Sequence, residues 1–427
     1  MARILTIAAF LLAAPVLYPQ SGTIANLPRD YTNADSGSFH GDIRTGLGFA
    51  TIDGDAHLAI SFSPEFRIGE LNAAFDLELY FHDKLRLRDD MYDSDPGYLR
   101  MIRHIYWGDP SDAVHAGVGT LYNINFGSGL LLSNYTNASN WDERDFGFLI
   151  DLNFPSISLE AFAEDVFDPE IMGGRLGIAP LANVNVPILN TWQIGVTAVQ
   201  DSSPDPRMYS GHNRSLDAFG FDTSFAPIST DNFLWTIFAQ HAFYDDYGSA
   251  NSLGTTVTIP GLTNFLDLEL QYEARFVEDQ FIPGLFNANY ELNRRRSGIH
   301  NLLSSAQDGS NHFFQIRTSF FNEFHLLANY SSALDPFGQG IFSIEANAPE
   351  ILSPIALSAA YSKTHMDEFG DITDIDEHSQ IRAVADLQLT QLFYLSLLYR
   401  VHWIEEQPNV YEKQETIRPQ LTFRYIF

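Results

Sequence analysis

The 427-residue chain contains no cysteine. That removes a disulfide framework, a lipid-anchored lipoprotein N-terminus and a cysteine nucleophile. Positive charge is scarce as well: 24 Lys and Arg stand against 54 Asp and Glu, a formal net charge of -30 at pH 7. So acidic a chain repels phosphodiester backbones and anionic lipid, which excludes nucleic acid as a partner. Long apolar runs are missing beyond Leu17. The longest uncharged stretch, residues 176–200, is interrupted by Pro180, Pro187 and several asparagines, so it lacks the unbroken character of a spanning helix. Hydrolase motifs are absent too: there is no G-x-S-x-G and no H-E-x-x-H, and the G-S-G at 127–129 lacks the spacing of a nucleophile elbow. The chain therefore reads as a non-enzyme. An acid–histidine site stays open through the 13 histidines, of which His104, His115, His241 and His402 sit on or near strands.

What is present begins with the leader. Met1 to Arg3 carries one positive charge, Ile4 to Leu17 is almost wholly apolar, and the small, polar YPQSGTIAN follows. This is the layout of a secretory signal peptide, its apolar segment too short to cross a bilayer; a buried N-terminal helix is the alternative. Thr23-Ile24-Ala25 is the nearest match to a cleavage site.

The rest of the chain is aromatic-rich, at 14%, and organised by a period of two. In residues 265–276, Leu266, Leu268, Leu270, Tyr272 and Phe276 fall on one side, and Asp267, Glu269, Gln271, Glu273 and Arg275 on the other. Residues 72–82 set Ala73, Phe75, Leu77, Leu79 and Phe81 against Asp76, Glu78 and His82, and residues 392–404 alternate likewise. Such alternation marks strands with one apolar and one wet face. Weaker versions are read at 39–51, 56–66, 99–107, 113–121, 146–154, 156–164, 191–199, 215–225, 232–243, 312–320, 323–331, 340–347, 354–362 and 379–389. Turn-rich, often acidic pieces separate them, and no composition break marks a second domain.

Strands of about 10 to 13 residues exceed the usual 5 to 6 of globular sheets. With aromatic strand ends and short connections alternating with long ones, they describe a closed transmembrane β-barrel more closely than a secreted sandwich or β-helix. The final stretch, QLTFRYIF, resembles the C-terminal targeting signal of bacterial outer-membrane β-barrel proteins, porin-like in size. Gln420 occupies the polar position, and Tyr425 and Phe427 are the terminal aromatics; Thr422 stands where glycine is common. That resemblance implies export to the outer membrane of a Gram-negative bacterium, with lipid and the barrel-assembly machinery as partners. It also implies a last strand, 415–427, closing on a first strand at 39–54. The expected division is a signal peptide at 1–25, a periplasmic segment at 26–38 and a barrel at 39–427. At roughly 22–25 residues per strand and its connection, the barrel should hold about 16–18 strands.

A barrel of this size has a lumen, so candidate sites lie on inward faces. The expected pore-lining residues are Asp76, Glu78, Asp267, Glu269, Glu273, Arg275, Arg382, Asp386, Arg400, Arg418 and Arg424. They set ion preference or, alternatively, pair with one another and hold the strands in register. Acids on one wall facing arginines on the other, together with the overall charge, predict a mildly cation-preferring channel for passive diffusion of small solutes or ions. The basic cluster ELNRRRSGIH places Arg294, Arg295 and Arg296 on a constriction loop or a solvated one, within the longest connection of the chain. Inward aromatics at Phe162, Phe313 and Tyr394 raise the alternative of a closed barrel for an apolar ligand, and the long acidic loops that of a surface-attachment barrel. No cofactor is expected. The runs at 89–97 and 367–376 offer carboxylates to calcium but lack EF-hand spacing.

Overall fold

A computed structural model describes residues 39–427 apart from 83–85, 89–94, 111, 139–143, 207–213, 263–264, 297, 322–323, 333–339, 353 and 408–409. The signal-peptide and periplasmic-segment assignments at 1–25 and 26–38, and most of the acidic run 89–97, lie outside the described residues. Strands follow one another in antiparallel pairs: β1 Phe39–Ile52, β2 Asp55–Ile68, β3 Leu71–Phe75, β4 Leu77–His82, β5 Arg86–Leu87, β6 Ile102–Trp107 and β7 Val114–Gly119. Next come β8 Gly147–Phe154, β9 Ile157–Ala163, β10 Ile171–Ile178, β11 Gln193–Asp201, β12 Leu216–Thr230, β13 Phe233–Tyr244, β14 Ser249–Leu262 and β15 Leu266–Glu278. The remainder are β16 Gly309–Phe320, β17 Phe324–Ser331, β18 Gly340–Leu352, β19 Ile355–Met366, β20 Ser379–Gln388, β21 Phe393–Gln407 and β22 Val410–Ile426. Two short helices, α1 Tyr290–Arg296 and α2 Ile299–Ser305, sit in the connection after β15. No described helix is long and apolar enough to cross a membrane.

The sheet closes on itself, β22 pairing with β1 from Asp42 opposite Ile426 to Ile52 opposite Thr416. Closure pairs every edge, which is what a sheet surrounded by hydrocarbon requires. β3 and β4 together form one stave and β5 and β6 another, so the 22 strands make a 20-strand barrel, more than the 16–18 expected. The two additional staves are β10 and β14, neither of which alternates clearly in sequence. β10 spends Gly173, Gly174 and Gly177 where neighbouring side chains cross it, and β14 is built from small Ser, Ala, Asn, Gly and Thr residues.

Prolines mark where the ladder is interrupted, because each lacks the N–H that a neighbour would need. Pro64 in β2 stands opposite the break between β3 and β4. Pro227, Pro260 and Pro349 lie within the register shifts of β12, β14 and β18. Outward faces carry Leu47, Phe49, Leu253, Phe276, Leu395 and Leu421, all exposed, as a lipid-facing belt would. One end of the barrel holds both chain ends and the tight connections 69–70, 155–156, 231–232 and 353–354. The other holds the long connections 120–146, 202–215, 279–308 and 367–378.

Candidate functional site: the lumen and two inward loops

The described residues of the connections 120–146 and 279–308 fold into the barrel and dock on each other. Leu132 and Phe286 form a parallel bridge, Ser133 N–H donates to Phe286 O at 2.9 Å, and Gly284 N–H donates to Leu130 O at 2.8 Å. Leu121, Phe126, Leu130, Leu131, Leu132 and Tyr135 of the first loop and Phe281, Leu285, Phe286, Tyr290, Ile299 and Leu303 of the second are buried in one apolar cluster. That cluster continues into the wall through Leu149, Phe162, Ile171, Val199, Leu216 and Val277, on β8 to β15. The inward face there is apolar near the long-loop end because it packs a plug, the hydrophobic effect holding a loop as it holds a core. Below the cluster the contacts turn polar. Ser128 N–H donates to Gln240 Oε1 and Gln271 donates to Ser128 O, both at 3.2 Å.

Charges lock the plug at its rim. Arg294 of α1 is almost fully buried and meets Glu170 at 2.8 Å, Glu291 at 3.2 Å and Asp201 at 3.4 Å. Tyr290 Oη donates to Asp201 at 2.7 Å and Tyr135 Oη donates to Glu291 at 2.9 Å. Arg295 reaches Asp145 at 4.0 Å, while Arg296 closes α1 with its side chain outside the described residues. Burial, with Glu291 close by, raises the Asp145 carboxyl from 3.8 to about 7. Thus the basic cluster lies on a loop inside the barrel, and its best-placed member is occupied by carboxylates.

On the polar stretches of the inward face, most of the expected pore-lining residues are engaged with charged or polar neighbours. Glu273 meets Arg275 at 2.8 Å, and Arg275 lies over the Phe313 ring at 4.4 Å. Glu269 meets Arg317 at 2.9 Å, and Asp267 accepts from Ser319 at 2.8 Å. Arg424 and Arg44 both hold Asp42, at 3.1 and 3.2 Å. Glu78 accepts from Arg418 and from Tyr80, each at 2.8 Å. Asp76 lies between Arg103 at 3.7 Å and Arg144 at 3.8 Å, and Arg103 also holds Glu65 at 2.6 Å. The acids are therefore paired beside arginines: Glu269 and Glu273 within β15 and β16, and Asp42 and Glu78 beside Arg424 and Arg418 through closure of β22 on β1.

Arg382 and Arg400 are direct cross-strand partners on β20 and β21, and Arg418 follows diagonally on β22. Like charges placed opposite each other on a sheet destabilise it unless other groups offset them. Tyr122 of the first inward loop stands within electrostatic reach of Arg144, Arg382 and Arg103, bringing plug and row together. Asp386 shares the face of Arg382, four residues along β20. A second buried group, Glu160–Arg175–Asp222, bridges β9, β10 and β12, with Arg175 donating twice to Asp222 at 3.0 and 2.7 Å. Gly195 leaves the space that this pair fills.

The sequence reading missed the inward course of 120–146, Arg103, Arg144 and Tyr122 with it. One signal was available: Leu130-Leu131-Leu132 is an unalternating apolar triplet inside a glycine- and asparagine-rich loop. In the acidic run 367–376, Asp371 caps backbone amides and Asp376 meets Lys363. Among the described residues no group of three or more His, Asp or Glu is placed to hold a metal ion. Gln420 contacts Ser61 and Thr422, and Phe427 exchanges both backbone hydrogen bonds with Gly41 beside the Phe39 ring.

No family model matches the chain, and no curated protein matches it. Solved structures similar to it include OpdK of Pseudomonas aeruginosa, an outer membrane protein, at 8% identity, 91% coverage of this chain and 99% of that one, TM-score 0.37. Pseudomonas aeruginosa OccK11 (OpdR) aligns at 12% identity over 96% of this chain and 98% of that one, TM-score 0.35. Acinetobacter baumannii OccAB3 aligns at 10% identity over 91% and 99%, TM-score 0.34.

Proposed function

We propose that the chain is a porin-like channel of a bacterial outer membrane, passing small solutes by diffusion between its plug and the polar wall of β20–β22 and β3–β4. The unequal filling of the lumen carries this reading. The plug is bedded on the apolar faces of β8–β15, and charged side chains line the opposite side, where Tyr122 and the arginine row approach each other. The apolar-ligand reading loses its motive, since Phe162 packs on Phe126 and Tyr135, Phe313 lies under Arg275 and Tyr394 lies under Arg424.

The sign of selectivity follows the local group rather than the whole chain. Arg103, Arg144 and Arg382 stand around Tyr122 and Arg400 and Arg418 around Glu78, five guanidiniums against the four carboxylates of Glu65, Asp76, Glu78 and Asp386. Arginine stays charged at any ordinary pH, so the narrow region carries net positive charge, which favours anions and reverses the cation preference expected from the total charge. Folded protein in planar bilayers should give discrete current steps, and their absence would remove the channel. Reversal potentials in a salt gradient should report anion preference, moving toward cations in Arg382→Gln/Arg400→Gln. Selectivity unchanged by that pair would overturn the assignment of the row.

A further inference from the structure

The tight-turn end of the barrel has one long connection, residues 179–192, between β10 and β11. Residues 183–190 are all exposed, and they include Val184, Val186, Ile188 and Leu189. The uncharged run 176–200 contains the whole of it, so no charge opposes burial in an apolar medium. Exposed apolar groups of this density on a chain otherwise rich in acids mark a surface that meets something apolar.

Its placement identifies what. Trp192 Nε1 donates to Thr223 Oγ1 at 2.9 Å, and Thr223 lies opposite exposed Ile194 and between exposed Phe221 and Phe225 on the outward face of the barrel. Ala226 N–H donates to Thr191 Oγ1 at 2.9 Å, fastening the loop beside the end of β12. The loop is thus continuous with the lipid-facing belt of Leu176, Ile178, Ile194 and Val196, at the depth where tryptophan sits at a membrane interface. Ile188 is held at φ 74, a conformation costly for a β-branched residue. Strain retained at an exposed apolar position points to a role for that side chain outside the chain itself.

We propose that residues 183–190 are a membrane-interface anchor, inserting Val184, Val186, Ile188 and Leu189 into the leaflet at the tight-turn end of the barrel. The occupant is phospholipid, because the loop extends the lipid belt, carries no charge to pair with a protein partner and lies on the barrel's outside. The inference rests on the barrel being embedded in lipid.

The absence of cysteine gives the test its specificity, since an introduced thiol is the only one to label. Val186→Cys, Leu189→Cys, Leu253→Cys on the belt and Asp231→Cys in the adjacent tight turn would each carry an environment-sensitive fluorophore. The full chain is refolded into vesicles of phosphatidylethanolamine and phosphatidylglycerol containing doxyl-labelled lipid. Labels at 186 and 189 should be quenched by doxyl lipid and lose the quenching by aqueous iodide that the 231 label retains. Iodide quenching at 186 and 189 equal to that at 231, with 253 still quenched by doxyl lipid, overturns the anchor. Protection from both quenchers with label-to-label transfer between chains overturns it in favour of an interface with a second copy. Loss of doxyl quenching at 253 as well would instead defeat the lipid-embedded barrel itself. Two loop positions guard against one variant failing to fold.

Discussion

Arg294 gathers carboxylates from β11, from the connection after β9 and from its own helix. Burial works against its charge, but Glu291, Asp201 and Glu170 outweigh that and raise its pKa further above the ordinary arginine value. Removing one partner of a buried ionic group costs about 3–5 kcal/mol because the others are left uncompensated. Arg294→Met should therefore loosen the plug while leaving the wall paired. The measurement is hydrogen exchange, which should quicken in 279–308 and stay slow in β16 and β22; uniform protection would mean the arginine is dispensable. Asp145 gives a pH dependence. Burial and then Glu291 raise its carboxyl to about 7, Arg295 pulls the other way, and Asp165 and Arg100 are the further charges facing it. A proton held more tightly by the seated loop than by the released one makes seating strongest at low pH. Seating then weakens as pH rises from about 4 to about 7. Protection factors in 120–146, which remove the intrinsic base-catalysed rise of exchange, should fall over that window, and Asp145→Asn should flatten the fall.

At the scale of strands, the closing seam is the sensitive place. A Cβ on Gly48 in β1 would collide with the Pro419 carbonyl of β22, a backbone group that cannot swing aside. Gly48→Ala should impair closure more than Gly41→Ala, whose added Cβ meets only the Phe427 ring. Heat-modifiable mobility reports it, and equal folding of the two variants would count against the seam as the limiting contact. Strands with a strict period of two, such as β15 and β21, could be read from sequence because one face meets lipid and the other water. β10 and β14 could not, since glycine and small residues, rather than a run of charged or polar ones, stand opposite their apolar positions and blur the period of two. The charged inner faces were legible as residue types, but their partners were not. Pairing depends on which staves become neighbours, and only closure places Glu78 beside Arg418. Likewise Arg294 was visible as a basic residue in a long loop beside Glu291, whereas Asp201 and Glu170 come from segments that sequence leaves unconnected.

For the molecule as a whole, wall and plug are separable. The ladder from β1 to β22 is complete without the inward loops, so replacing residues 281–305 by a short turn should preserve the barrel. Unitary conductance in bilayers should then increase, and a value equal to the parent's would mean the loop stands clear of the conducting path. The docking of Leu130 on Gly284 also orders events in time. Eight strands, β8 to β15, separate the two halves of the plug along the chain. As the chain emerges from its N-terminal end, the Leu130-Leu131-Leu132 triplet appears before Phe281 and Phe286, which cover it in the folded barrel. An exposed apolar triplet in transit is a site for holding chaperones and for misassociation. A plug whose two halves lie that far apart in the chain is expected to seat last, after β8 to β15 have paired into the wall between them.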